Sequence, residues 1–264
     1  MKGKKQLNKK IILLILILII SSVVFLVYFQ GSKKNLNVIP KTTQERPDYL
    51  IVLVGDSMTE ALGNSTEIRQ YLTEFYPGKT FDILNYGFGS TNILSLPKRL
   101  IEWTDHGRPF QPILDIDFNL IIIESFGHNP LSEYKLMDGL KKQNEILDET
   151  VKLIKEKRPR AKIAFMATLA PNRFKYGEGT VELSDEVRAK WAQERISYIK
   201  NHIAYANSHN IPVINVFEKS LDLAGNGNID YVNNLDHIHP SPTGIRFISR
   251  GVADTIHKLN LLQI

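Results

Sequence analysis

Residues 49–54 read YLIVLV, six apolar residues in a row that stop at Gly55-Asp56-Ser57. A strand with one wet face alternates polar and apolar residues, whereas an unbroken run like this suits a strand buried on both faces. Further strand candidates lie at 80–85, 120–124 (LIIIE), 162–168 and 211–216. Helical spacing fills the gaps: Ile68, Tyr71, Leu72 and Phe75; then Leu136, Leu140, Leu147, Val151 and Ile154 ahead of Pro159. A third stripe holds Trp191, Ile199, Ile203 and Ala206. Ser241-Pro242 opens a last helix that carries Ile245, Ile248, Val252, Ile256 and Leu259, with serine as cap and proline in the first turn. Strands alternating with helices predict an α/β fold of three layers, α/β/α, around a five-stranded, mostly parallel sheet.

Ahead of this body, residues 11–29 form an apolar run broken only by Ser21 and Ser22. A helix of that length spans about 28 Å, close to a bilayer core of roughly 30 Å. Five lysines precede it, and Lys33 and Lys34 follow. The positive-inside rule then gives a single-pass membrane protein with residues 1–10 in the cytoplasm and everything after residue 30 outside. A cleaved signal has a shorter apolar core and a small-x-small site, and the first alanine here is Ala61. The expected organisation is a basic tail at 1–10, a transmembrane anchor at 11–29, a linker at 30–47 and one domain at 48–264.

Charge bears on partners. The chain of 264 residues carries a formal +5. Seven lysines and no acid lie in residues 1–40, which leaves 26 basic and 28 acidic residues beyond, a net −2. The body therefore lacks the basic footprint of a nucleic-acid binder, and the N-terminal lysines suit anionic lipid head groups. There is no cysteine, which removes disulfides, a thiol nucleophile and zinc–thiolate sites. His237 and His239 have no second cluster to complete a metal site, so neither metal nor cofactor is expected.

Four short motifs carry candidate chemistry, in a fold class that binds ligands at the carboxyl ends of its strands. Gly55-Asp56-Ser57 follows the first strand, where a serine is either a helix cap or a hydroxyl beside free backbone N–H groups. Asn85-Tyr86-Gly87-Phe88-Gly89-Ser90-Thr91 follows the second, where glycine lets a backbone N–H approach a bound oxygen. Gly127-His128-Asn129-Pro130 follows the third; its Asn amide is either a turn former or an oxyanion donor. Asp236-His237-Ile238-His239-Pro240 precedes the last helix, and a carboxylate three residues before an imidazole can accept Nδ1–H and leave Nε2 as a base. Glu124, at the end of the third strand, either lines this region or pairs with a cation. The polar stretch 171–190 is long enough for a lid or specificity element.

In this order the four motifs resemble those of the SGNH (GDSL-type) hydrolases, a fold of flavodoxin-like architecture. Gly55-Asp56-Ser57, Gly89 with Ser90 and Thr91, Gly127-x-Asn129 and Asp236-x-x-His239-Pro240 match the four blocks, across residues 48–260. Pro130 stands where the family often has aspartate, and Gly87 is an alternative to Gly89 as the second-block donor. The resemblance implies a serine esterase working through an acyl-enzyme. Ser57 would be the nucleophile, His239 the base and Asp236 its orienting carboxylate, with Ser57 N–H, Gly89 N–H and the Asn129 amide as oxyanion donors. The expected substrates are esters of small acyl groups, acetyl-like, on envelope or extracellular glycans or on small alcohols. Transfer of acyl groups to envelope polysaccharide with a partner membrane protein is the alternative, and a non-catalytic envelope-binding module a more distant one.

Overall fold

The second strand lies at the edge of the sheet, beside the first, and this order decides where a site can form. The structure, a computed structural model, describes residues 46–262. The predicted basic tail, anchor and nearly all of the linker lie outside the described residues. Among the described residues no helix is long and apolar enough to cross a membrane.

Five strands form the main sheet: β1 (Tyr49–Gly55), β2 (Phe81–Gly87), β5 (Leu120–Glu124), β6 (Lys162–Ala167) and β7 (Val213–Asn215). Their order is β2-β1-β5-β6-β7, and every neighbouring pair is parallel. The expected "mostly parallel" sheet is thus parallel throughout. A small antiparallel hairpin, β3 (Thr104–Asp105) with β4 (Pro109–Phe110), stands apart from it. The helices are α1 (Ser57–Glu60), α2 (Thr66–Phe75), α3 (Leu96–Ile101), α4 (Leu136–Lys157), α5 (Asp185–Ser208), α6 (Val216–Lys219) and α7 (Pro242–Lys258).

Alternate residues of the central strands feed two cores. Val52, Val54, Ile121, Ile123 and Phe165 pack against Leu147, Val151 and Ile154 of α4 and Tyr198 and Tyr205 of α5. Ile51, Leu53, Leu120, Ile122, Ala164 and Met166 pack against Ile68 and Leu72 of α2 and Ile248, Val252 and Ile256 of α7. A strand covered on both faces has no polar alternation to show, which is why β1 and β5 read as continuous apolar runs.

Sequence expectations shift at element ends: the second strand, expected over 80–85, runs over Phe81–Gly87 and takes in the start of the second motif, and the fourth, expected over 162–168, ends at Ala167. The fifth strand, expected over 211–216, closes at Asn215, whose Oδ1 accepts the Glu218 N–H at 3.0 Å and starts the short helix α6. Leu259 is not inside the last helix: it caps α7 and is exposed, because the helix ends at Lys258. Leu136 begins α4 but is likewise exposed; the buried stripe starts one turn later.

Between β1 and β5 the chain changes direction across the sheet: β2 is added on one side of β1, and β5, β6 and β7 on the other. Such a switch point leaves a crevice beyond the strand ends where ligands bind. Gly55-Asp56-Ser57 leaves β1 and residues 125–129 leave β5, so two of the four motifs flank that crevice.

Candidate active site

Gly55 is glycine for a steric reason. A Cβ there would lie 2.1 Å from Thr59 Oγ1 and 2.7 Å from the Glu124 Cβ. With that space filled, the chain turns at once from β1 into α1. Asp56, fully buried, is the helix cap, its Oδ1 accepting the Met58 N–H at 2.8 Å. Ser57 is therefore the first residue of the helix rather than its cap, and its N–H lies among the first-turn groups that have no intrahelical acceptor.

His239 arrives from the far end of the chain. Ser241 caps α7 by accepting the Gly244 N–H at 3.1 Å, and its hydroxyl donates to Asp230 O at 2.7 Å. Asn233 ties the loop before it: Nδ2 donates to His239 O at 3.2 Å while Oδ1 accepts the Leu235 and Asp236 N–H groups. Asp236 Oδ1 accepts the N–H groups of Ile238 (2.8 Å) and His239 (3.0 Å), and Oδ2 lies 2.7 Å from His239 Nδ1. His239 Nε2 stands 2.8 Å from Ser57 Oγ. With Nδ1–H donated to the carboxylate, Nε2 is the acceptor and the Ser57 hydroxyl donates to it. Burial pushes the Asp236 carboxyl up, but the bond from the His239 ring and the two backbone N–H groups outweigh it and hold the carboxyl below its ordinary range.

The sequence itself matches no family model and no curated protein. Solved structures do match. A lipase/acylhydrolase from Enterococcus faecalis superposes with a TM-score of 0.57 at 16% identity, over 80% of this chain and 96% of that one. A putative acylhydrolase from Bacteroides fragilis gives 0.55 at 16% identity, over 87% and 100%. An acetyl xylan esterase gives 0.54 at 15% identity, over 80% and 98%. A putative lipolytic protein of the G-D-S-L family from Desulfitobacterium hafniense gives 0.55 at 15% identity, over 78% and 99%. The fold is that of the GDSL-type acylhydrolases.

Within this GDSL-type fold the two remaining blocks bond to the segment that carries Ser57. Asn129, in the turn after β5, donates one amide N–H to Asp56 Oδ2 at 3.1 Å. An amide has two such hydrogens, so Asp56 aims the group while the second N–H stays available. Gly89 places its Cα beside Ser57: a Cβ there would lie 3.7 Å from the Ser57 Cβ. Its N–H, however, donates to Glu60 Oε2 at 2.9 Å, and Glu60 Oε1 lies 2.9 Å from His106 Nε2. The alternative, Gly87, donates its N–H to Asn85 Oδ1 at 2.8 Å, and a Cβ there would lie 2.1 Å from the backbone N of Glu60. Gly87 is glycine so that α1 can cross β2 closely, and its N–H points at its own strand end.

Beneath the site the GDSL-type scaffold hides a charged foundation. Glu124 is fully buried; Oε1 accepts the Ser125 hydroxyl at 2.6 Å and Oε2 the Asp56 N–H at 3.3 Å. Burial, reinforced by the Asp56 charge, pushes its carboxyl well above the ordinary range. Of the two roles open to Glu124, the geometry gives neither a wall nor an ion pair but a bracket joining β5 to the turn that carries Ser57. Arg99, buried in α3, donates through Nη1 to Gly55 O at 2.7 Å and Tyr86 O at 3.0 Å. Its Nη2 reaches Ser95 Oγ at 2.7 Å and the Thr91 hydroxyl. It ties the ends of β1 and β2 to the glycine loop, and burial lowers its pKa to about 10.

The other histidines divide. His128 is buried, with Nε2 on Leu169 O (3.1 Å) and Nδ1 accepting the Tyr176 hydroxyl (3.2 Å); burial pushes its pKa down. His237 lies in the last block but turns away, its Nδ1 on Glu178 O at 3.0 Å. The long segment 171–184 is fastened: Tyr176 is buried, and Arg188 Nη1 donates to its carbonyl at 2.6 Å. Sequence reasoning misses Arg99, Asp56 as aimer of Asn129, and the Glu60–His106 pair. Each acts through at least one bond between residues far apart in the chain, which local spacing does not mark.

Proposed function

We propose that this chain is a serine esterase that removes small, acetyl-like acyl groups by way of an acyl-enzyme. The observation that carries the proposal is the continuous relay from Ser57 Oγ through the His239 ring to Asp236 Oδ2, with steps of 2.8 and 2.7 Å, at the switch point of the sheet. Ser57 Oγ attacks the ester carbonyl as its proton passes to His239 Nε2. Asp236 holds the ring's orientation and stabilises the imidazolium. The Ser57 N–H and the free Asn129 amide N–H bind the oxyanion; the Gly89 N–H joins them once Glu60 releases it. His239 then protonates the leaving alcohol, and a water deprotonated by the same Nε2 cleaves the acyl-enzyme. An O-acylated glycan is the substrate class we favour, in keeping with the structural likeness to an acetyl xylan esterase. The domain works outside the cell membrane, tethered by the apolar run at 11–29.

The test is full-length protein with Ser57→Ala, assayed on 4-nitrophenyl acetate, together with fluorophosphonate labelling. Wild type should turn over and label at Ser57, and the variant should do neither. Wild-type turnover in Ser57→Ala would remove the nucleophile assignment.

A further inference from the structure

Among the described residues β2 is an edge strand, paired only with β1. Along its outer side runs an open groove of about 950 Å³, walled by the β3–β4 hairpin and the residues after α1. That size falls in the range of built ligand sites, and nothing in the relay above uses it.

Three observations specify what would fit. First, the charges that line the groove balance: Glu60 and Asp82 against Arg69 and Arg108. A strongly anionic or cationic ligand would meet as much repulsion as attraction, so the lining suits a neutral, polar molecule. Second, Trp103 lies in the wall with 65% of its surface exposed. An indole left that open is a platform for a flat apolar face, and it sits among carboxylates, guanidinium groups and the Asn64 amide that hydrogen-bond hydroxyls in both senses. Third, one side chain links the groove to Ser57. Glu60 lines the groove, and the same carboxylate holds the N–H of Gly89, whose Cα lies beside Ser57.

We infer that this groove is the binding site for the alcohol part of the substrate, and that the alcohol part is a neutral oligosaccharide. Pyranose rings present apolar C–H faces to Trp103 and hydroxyls to Asp82, Arg108 and Glu60, while the esterified hydroxyl reaches Ser57. A peptide pairing with β2 as an added strand would use the same edge, but it would meet the charged side chain of Asp82 there and would leave Trp103 without a role. The inference rests on the esterase reading above and extends it from the acyl side to the alcohol side.

The experiment compares full-length wild type, Trp103→Ala and Trp103→Phe on three probes: 4-nitrophenyl acetate, O-acetylated xylotetraose and O-acetylated chitotetraose. The expected result is that wild type deacetylates at least one tetrasaccharide. In Trp103→Ala the ratio of kcat/KM on that glycan to kcat/KM on the aryl acetate should fall at least tenfold, through KM rather than kcat, and Trp103→Phe should restore most of it. Trp103 is exposed, so its truncation leaves both cores intact, and an unchanged melting temperature checks this. A ratio within twofold of wild type overturns the groove assignment. Wild type active on the aryl acetate but on neither tetrasaccharide also overturns it, while the esterase reading stands. Wild type inactive on all three overturns the esterase reading and the groove assignment with it.

Discussion

Replacing Glu60 with alanine should make the proposed esterase faster. The Glu60 carboxylate sits on the Gly89 N–H at 2.9 Å and is held from its other oxygen by His106, also at 2.9 Å. An oxyanion that is to use Gly89 must first displace this carboxylate. A hydrogen bond to a charged group is worth about 1.5–3 kcal/mol. The Glu60 side chain is 46% exposed, and solvent screening at that exposure reduces the figure to about 1 kcal/mol. Removing that cost multiplies the rate by about five. The loss of a negative charge beside the developing oxyanion acts in the same direction. Glu60→Gln keeps an acceptor oxygen and removes the charge, so its gain should be smaller, about twofold by the same conversion. The assay is kcat/KM on 4-nitrophenyl acetate, a probe too small to draw on the groove along β2. A Glu60→Ala rate equal to wild type would mean that Gly89 donates nothing to the oxyanion. A tenfold fall would mean that the carboxylate assists the reaction, and the reasoning would be refuted.

Other perturbations read separate parts of the site. Asp236→Asn leaves the loop staple through Oδ1 but removes the charge behind His239; kcat should fall about 10³- to 10⁴-fold, measured on the same aryl ester. Asn129→Ala removes one proposed oxyanion donor and should lower kcat about 10²- to 10³-fold with little change in KM. His202 is buried with Nε2 on Ile123 O, and burial depresses its pKa to about 3. The unfolded chain therefore binds a proton there that the folded chain refuses, so this residue lowers stability as pH falls below about 6.5 and ceases to do so below about 3. His202→Gln should flatten the acid side of a plot of melting temperature against pH; a branch as steep as wild type would show that another group sets it.

The parts of the site that are legible in the sequence are those that local chemistry writes down. Asp236 and His239 lie three residues apart, and their bond closes inside one loop, so the pair can be read without a fold. Ser57 is legible because a run as apolar as YLIVLV must be a central strand, and the residues just past the end of a central strand lie over the crevice. Gly89 is legible as a position and not as a state. A glycine after β2 predicts a close backbone approach, but only the fold reveals that Glu60, twenty-nine residues earlier, takes its N–H. The reason is geometric: α1 crosses β2 so closely that Gly87 cannot carry a Cβ, and this crossing brings the Glu60 side chain onto the glycine loop. Arg99 is illegible for the opposite reason. The bonds that tie it to β1 and β2 run to carbonyls, and a backbone carbonyl has no residue identity for a sequence to display. The buried pair of Asp56 and Glu124 has the same character: Glu124 grips the Asp56 N–H while the Asp56 carboxylate aims Asn129. The first and third blocks are thus linked through Asp56. Changing that residue should disturb an oxyanion donor seventy-three positions away while leaving the relay from Ser57 to Asp236 in place, so Asp56→Ala should lower kcat with fluorophosphonate labelling of Ser57 retained. Loss of labelling along with turnover would show instead that Asp56 matters only as the cap that sets Ser57.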